Sequence, residues 1–239
     1  MIKKVIYTVD VGNYDIIKPL DGKYSKGWDC FLLTDNEKLK VKGWETIVLN
    51  KRDFNDLPNV AISRHPKILP HLYFEEYDYF LYIDGNRYIG NNLNKFFEKF
   101  GHNKFMTLQN TQKEFIDLYR EIEACKEKGR RKYLDSLRDK LELQKQDYIR
   151  EGLPINLGYR VDNSVLFRHN NKEVNEFNGL WWEEYIKRKT WRDQLAIRYL
   201  LWKYNFKINI EDHYSLSNKY QKNKKVNAFF IKNAKHRGL

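Results

Sequence analysis

A short apolar run, Tyr79-Phe80-Leu81-Tyr82-Ile83, stops abruptly at Asp84-Gly85-Asn86. A buried strand ending in an acid, a glycine and a second oxygen donor suits a divalent cation, because hard cations take oxygen ligands held close together. Mn²⁺ or Mg²⁺ at such a place can bridge a diphosphate. Asp84 and Asn86 are the candidate ligands, with Gly85 between them. The alternative is that Asp and Asn simply make a turn there. Polar groups also follow two earlier apolar segments: Thr8, Asp10 and Tyr14 after the first, Asp35 after the second. Arg64 and Lys67 stand one helical turn apart and face the same way. They can hold a diphosphate, the guanidinium as a fork and the ammonium as a point charge, or they form a solvated helix face. Asp193 lies in Thr190-Trp191-Arg192-Asp193, which reads as a capping box with Thr190 as N-cap and Asp193 at N3.

The elements that must position these residues follow from the hydrophobic pattern. Residues 4–9, 29–34, 45–49 and 79–83 read as strands, the first broken by Gly12-Asn13. Ser63 can cap a helix from Arg64 to about Phe74, bent or shortened by Pro70. Residues 93–100 read as a short helix and 104–108 as a strand. Residues 114–149 are charged, poor in Gly and Pro and helical in period, with Gly129 dividing two helices. Then come a strand at 163–168, a helical segment at 179–186, a strong helix from Thr190, a last strand at 207–210 and a polar, basic tail from Ser217. Such alternation predicts an α/β fold: a mostly parallel central sheet flanked by helices, with ligands beyond the carboxyl ends of its strands. The same rule makes Arg168, which ends the strand at 163–168, and His169, just beyond it, acceptor-side candidates. Trp182, beside Trp181, either stacks on a sugar or packs in the core. The expected layout is a single domain over residues 1–216, with a helical insertion at about 112–152 and a basic tail at 217–239.

Composition bounds the function class. The 239 residues include 44 Lys and Arg against 32 Asp and Glu, a net charge of +12. That balance suits an anionic partner. The basic runs lack the Gly and aromatic pattern of an RNA-recognition motif, so no nucleic-acid partner is expected. A peripheral contact with an anionic membrane fits the basic insertion. The two cysteines have neither disulfide nor zinc spacing. The first eleven residues do not read as a signal peptide, and no run approaches the length of a membrane helix. The expectation is a cytoplasmic protein, peripheral to a membrane at most. A nucleotidyltransferase would need a Gly-rich phosphate loop near the first strand, and Gly12-Asn13 is too sparse for one.

Several motifs together resemble a known family. They are Tyr7-Thr8 with Gly12-Asn13-Tyr14-Asp15, then Asp29 to Asp35, Arg64-x-x-Lys67-x-x-Pro70-His71 and Tyr77 to Asn86. Arg168-His169-Asn170, Trp181-Trp182-x-Glu184, Arg192-Asp193-Gln194-Leu195 and Trp202-Lys203 complete the set. In this order, over most of the chain, they resemble the glycosyltransferase-like family long catalogued as a domain of unknown function, with plant hexosyltransferase-like and bacterial members. The resemblance implies a GT-A-like, Rossmann-related fold. It also implies transfer of a sugar from a nucleoside diphosphate sugar to a hydroxyl of a glycan or glycolipid, with Mn²⁺ or Mg²⁺ as cofactor. By the same resemblance, Asp193 and Gln194 lie at the reacting sugar, with Asp193 either general base or sugar-hydroxyl clamp. A late histidine, here His213, is a further metal ligand or a structural residue. Asn86 departs from the usual Asp-x-Asp form.

Overall fold

The computed structural model describes residues 1–127, 134–212, 217–218 and 228–232. In chain order the strands are β1 (Lys4–Asp10), β2 (Asp29–Thr34), β3 (Glu45–Val48), β4 (Tyr79–Ile83), β5 (Arg87–Ile89), β6 (Phe105–Gln109), β7 (Val161–His169), β8 (Asn209–Glu211), β9 (Ser217–Asn218) and β10 (Phe230–Lys232). The helices are α1 (Gly22–Ser25), α2 (Asn59–Ile68), α3 (Leu93–Phe100), α4 (Leu118–Glu127), α5 (Leu134–Arg150), α6 (Lys172–Arg188) and α7 (Asp193–Lys203).

Seven strands form the main sheet in the order β3-β2-β1-β4-β7-β6-β8. The first four run parallel to one another, and β6 runs parallel to β8. Only β7 is reversed, pairing antiparallel with both β4 and β6. Alternate side chains point to opposite faces of a strand, and here both faces are covered. Val5, Tyr7, Phe80, Tyr82 and Leu166 join one core with α2, α6, α7 and the insertion helices. Ile6, Leu81, Ile83, Val165 and Phe167 join the other with Phe96 and Phe100 of α3, Trp28 and Trp44. Strands buried on both sides read as continuous apolar runs rather than alternating ones, which is why β1, β2 and β4 were visible in the sequence.

Several boundaries differ from expectation. Helix α2 begins at Asn59, with Ser63 inside it donating to the Val60 carbonyl instead of capping. Pro70 opens a separate short 3-10 turn. Helix α7 begins at Asp193, not Thr190. The Thr190 hydroxyl turns away to Gln144 Oε1 at 2.9 Å, so no capping box forms. Trp191 has a φ of +56°, which separates Thr190 from the helix. The segment expected to be a basic tail instead supplies β9 and β10, and β10 pairs antiparallel with β5 directly after the Asp84 turn. The expected break at Gly129 lies outside the described residues. Among the described residues no helix is long and apolar enough to cross a membrane.

Candidate active site

The parallel strands end at one edge of the sheet, and the reversed β7 begins there. Asp84 N donates to the Ser164 carbonyl at 2.9 Å, so the Asp84 turn and the start of β7 lie side by side. The edge therefore gains Asp162, Asn163 and Ser164, residues that the sequence reading had passed over. Helix α2 brings Arg64 and Lys67 to this edge, and the first turn of α7 brings Asp193 and Gln194. Together with Asn86, Arg87, Arg192 and Lys232 they line a polar cleft of about 400 Å³, within the usual range for small-molecule sites, ~300–1,000 Å³.

At its centre the charges alternate. Lys67 Nζ lies 3.0 Å from Asp193 Oδ2 and 3.3 Å from Asp84 Oδ1. Arg64 Nε lies 3.8 Å from Asp193 Oδ1. Tyr82 OH donates to Asp84 Oδ1 at 2.8 Å, and Asn163 Nδ2 to Asp193 Oδ2 at 3.3 Å. Lys67 is almost fully buried, its side chain 3% exposed, and a buried ammonium needs such partners. Burial alone would push the Asp193 carboxyl up. The neighbouring Lys67, Arg64 and Arg192 cations outweigh it and hold the group well below the usual carboxylate range. Its place in the first turn of α7 adds the favourable end of the helix dipole. These cations favour the carboxylate form of Asp193. Burial and the Asp84 carboxylate push the Tyr82 hydroxyl well above its ordinary value, so it remains a donor.

Supporting groups fix this arrangement. Arg168 is fully buried and donates to the Lys67 and Ile68 carbonyls at 2.6 and 3.0 Å, to Asn178 and to Tyr7 OH. It ties off the last turn of α2 and so sets where Lys67 points. Trp181 Nε1 donates to the Asp193 carbonyl at 3.0 Å. From the insertion, buried Glu121 pairs with Arg192 at 3.1 Å and Arg198 at 2.9 Å. Helices α4 and α5 rest on α6 and α7, and among the described residues of the insertion only its start, at Gln112, reaches the cleft.

The structure brings Arg64, Lys67, Asp84, Asn86, Asp193 and Gln194 together in one cleft. It gives other expected residues different places. Arg168 lies in the core, as described. His169 lies at the opposite edge of the sheet, stacked on Tyr79 with ring centroids 4.7 Å apart. A mostly parallel sheet would put both at the cleft; the reversal of β7 puts its first residues there instead of its last. Trp182 packs edge-on against His65, centroids 4.8 Å apart, on the α2 side rather than over the cleft. Thr8 and Asp10 are buried. Asp10 Oδ1 accepts from the Tyr14 and Asp15 amides and shapes the loop after β1. Asp35 accepts from the Gly12 amide and pairs with Lys51, while Tyr14 is exposed. Gly85 is required by a close approach: a Cβ there would meet Asp15 Oδ2 at 2.7 Å and Ile17 Cδ1 at 2.8 Å.

These groups fit a divalent cation poorly. Asp84 Oδ1 already accepts from Tyr82 and Lys67, and Asn86 offers a neutral amide. Among the described residues no three His, Cys, Asp or Glu side chains converge as a metal would need. His213 lies outside the described residues. What the cleft does hold is unmet hydrogen-bonding capacity: Asn86 Oδ1, Asn163 Oδ1 and Ser164 Oγ are buried without a partner. Buried polar atoms are mostly satisfied, so these three leave room in the cleft for water or a hydrogen-bonding ligand.

A family model described as TOD1/MUCI70, glycosyltransferase-like domain matches residues 30–232. No curated protein matches the chain. Among solved structures, the chain is similar to galactosyltransferase LgtC in complex with donor and acceptor sugar analogs. There the identity is 12%, the TM-score 0.50, and 97% of this chain and 87% of that one are covered. It is also similar to mouse xyloside xylosyltransferase 1 in its apo form, with 8% identity, a TM-score of 0.53 and 98% of each chain covered. At such identities the likeness is one of fold, and that fold is GT-A.

Proposed function

The chain belongs to the TOD1/MUCI70 glycosyltransferase-like family and is a glycosyltransferase of GT-A architecture, and from that premise we propose that it transfers a sugar from a nucleoside diphosphate sugar to a hydroxyl of a glycan or glycolipid. The observation that carries this reading is the pairing of two features in one cleft. Cations stand in an alternating network with Asp84 and Asp193, and beside them lie the unpartnered polar atoms of Asn86, Asn163 and Ser164. The first feature suits a diphosphate and the second a sugar.

In the reaction the acceptor oxygen bonds to the anomeric carbon. The bond from that carbon to the diphosphate oxygen breaks, and its electron pair leaves with the nucleoside diphosphate. Lys67 and Arg64 offset the charge that gathers on the leaving group, the kind of preorganised electrostatic help that dominates many enzymes. Asp193, held as a carboxylate, accepts hydrogen bonds from sugar hydroxyls and faces the positive charge that develops on the sugar. The acceptor proton passes to the departing diphosphate oxygen, the stronger base while Lys67, Arg64 and Arg192 hold the Asp193 carboxyl acidic. Gln194 and Asn163 border the same carboxylate and orient the sugar. No step of this scheme runs through a divalent cation.

A thermal-shift screen of uridine and guanosine diphosphates and their sugars tests the reading. A ligand at 100 times its dissociation constant should stabilise the fold by about 2.7 kcal/mol. Asp193→Asn should retain the nucleoside diphosphate shift and lose sugar transfer. If no nucleoside diphosphate and no nucleotide sugar moves the melting point, the proposed donor class is wrong.

A further inference from the structure

A cation that bridges a diphosphate needs several oxygen ligands, and the Asp84 turn does not assemble them. What it assembles instead is positive charge. Arg87 follows the turn immediately; its side chain is 1% exposed and its Nη2 lies 3.5 Å from Asp162 Oδ2. Strand β10 returns to pair with β5 so that Lys232 is the register partner of Arg87, and both residues line the cleft. Among the described lining residues five cations (Arg64, Lys67, Arg87, Arg192, Lys232) stand with three carboxylates. Arg192 is offset by Glu121 behind it, and the balance that remains is still positive, which suits a bound diphosphate. Arg87 and Lys232 form a second cationic group, on the β5–β10 side of the cleft, facing Lys67 and Arg64 on the α2 side. A guanidinium keeps its proton throughout the accessible pH range, and with an ammonium beside it supplies both a fork and a point charge for phosphate oxygens.

Resting on the glycosyltransferase reading above, we propose that Arg87 and Lys232 hold the donor's diphosphate and take the place of a divalent cation, so that donor binding is independent of metal. The neutral amide of Asn86 agrees with this role: a second carboxylate there would compete for the same cations. Its buried, unpartnered Oδ1 then accepts from a hydroxyl of the donor.

Isothermal titration of uridine diphosphate and guanosine diphosphate into the full chain, once with EDTA and once with Mn²⁺, tests the proposal. At least one of the two should bind in EDTA, with an affinity within about threefold of that in Mn²⁺, and the matching monophosphate should bind more weakly. Hydrogen bonds to charged groups contribute about 1.5–3 kcal/mol, so Lys232→Gln should weaken diphosphate binding in EDTA by ~10–100-fold. Lys232→Arg should recover most of it. Arg87 is buried, so Arg87→Lys, which keeps the charge, is the variant of choice there. It should fold and bind less tightly, because an ammonium loses the fork. Diphosphate binding that appears only with Mn²⁺ would overturn the proposal and leave the glycosyltransferase reading standing. Unchanged affinity in Lys232→Gln would remove Lys232 from the site and overturn the proposal as stated. No nucleoside diphosphate binding with or without metal would overturn both.

Discussion

Lys67→Met tests the central network directly. The substitution keeps most of the aliphatic shape, is one heavy atom shorter, and removes the ammonium charge with its three donors. Lys67 lies between two carboxylates, 3.0 Å from Asp193 and 3.3 Å from Asp84, with almost no exposure. Removing one partner of a buried ion pair typically costs about 3–5 kcal/mol, because the remaining charge is left uncompensated. Arg64 at 3.8 Å and the Asn163 amide at 3.3 Å still serve Asp193, so the loss should fall near the lower end, about 3 kcal/mol. The loss should also depend on pH in a defined direction. In the parent, the Asp193 carboxyl is held below its ordinary value of 3.8. Its contribution is therefore complete above that value and is lost only as the pH falls through the lower, folded value. In the variant the carboxyl moves up, since burial is then opposed only by arginines. Protonation relieves it, so the gap between variant and parent should narrow as the pH falls from 7 towards 4. Urea unfolding at several pH values measures both effects. The double variant Lys67→Met with Asp193→Asn should recover at least about 1 kcal/mol relative to additivity while remaining inactive in transfer. A penalty below about 1 kcal/mol, or strict additivity, would show that the buried charges are not coupled as described.

Gly85→Ala should destabilise by about 1–3 kcal/mol through overpacking against Asp15 and Ile17 and should weaken donor binding, as unfolding and calorimetry would show. His65 is held neutral by burial and by its neighbour His71, its pKa pushed down to about 4 from 6.5. The unfolded chain therefore takes up a proton first, so stability should fall as the pH drops from 6.5 to about 4, and His65→Gln should flatten that part of the profile. Glu121→Gln leaves Arg192 and Arg198 without their shared carboxylate and should cost about 3–5 kcal/mol. Urea unfolding checks it, and a loss under 1 kcal/mol would show that the insertion is not tied to α7 through this residue.

The left half of the sheet was legible in the sequence because buried parallel strands are continuous apolar runs. Tyr79–Ile83 and Asp29–Thr34 could be drawn to the residue, and Leu93–Phe100 likewise as a helix with its apolar side inward. The Asp84 turn, Arg64, Lys67 and Asp193 were visible as residue types but not as one network, since nothing local brings α2, β4 and α7 to a single edge. Strand direction leaves no trace in the pattern of a single strand, so the sequence points to the far end of β7. The signal available was Asp162-Asn163-Ser164, three small polar residues opening an apolar strand. Thr190 to Asp193 matched a capping box in spacing, but the spacing does not specify φ, and the positive φ of Trp191 breaks the match. Strand β10 is hidden within a basic segment because a three-residue strand between β5 and β9 has only Phe230 buried.

The reversed strand also has a consequence for the order of folding. Strands β1, β2 and β3 come from the first fifty residues and pair with one another, and β4 adds to β1, whereas the other side of β4 must wait for β7, synthesised far downstream. Pairings between distant segments form slowly, because the loop must close before any contact rewards it. The seam between β4 and β7 is therefore expected to be the late step, and the cleft lies across it: Asp84 comes from one side, Asn163, Ser164 and Asp193 from the other. A half-folded chain would carry a formed β1–β3 sheet and no cleft at all. In a refolding experiment, far-ultraviolet circular dichroism should recover first. Binding of a fluorescent nucleotide should follow as a separate, slower phase that reports closure of the seam.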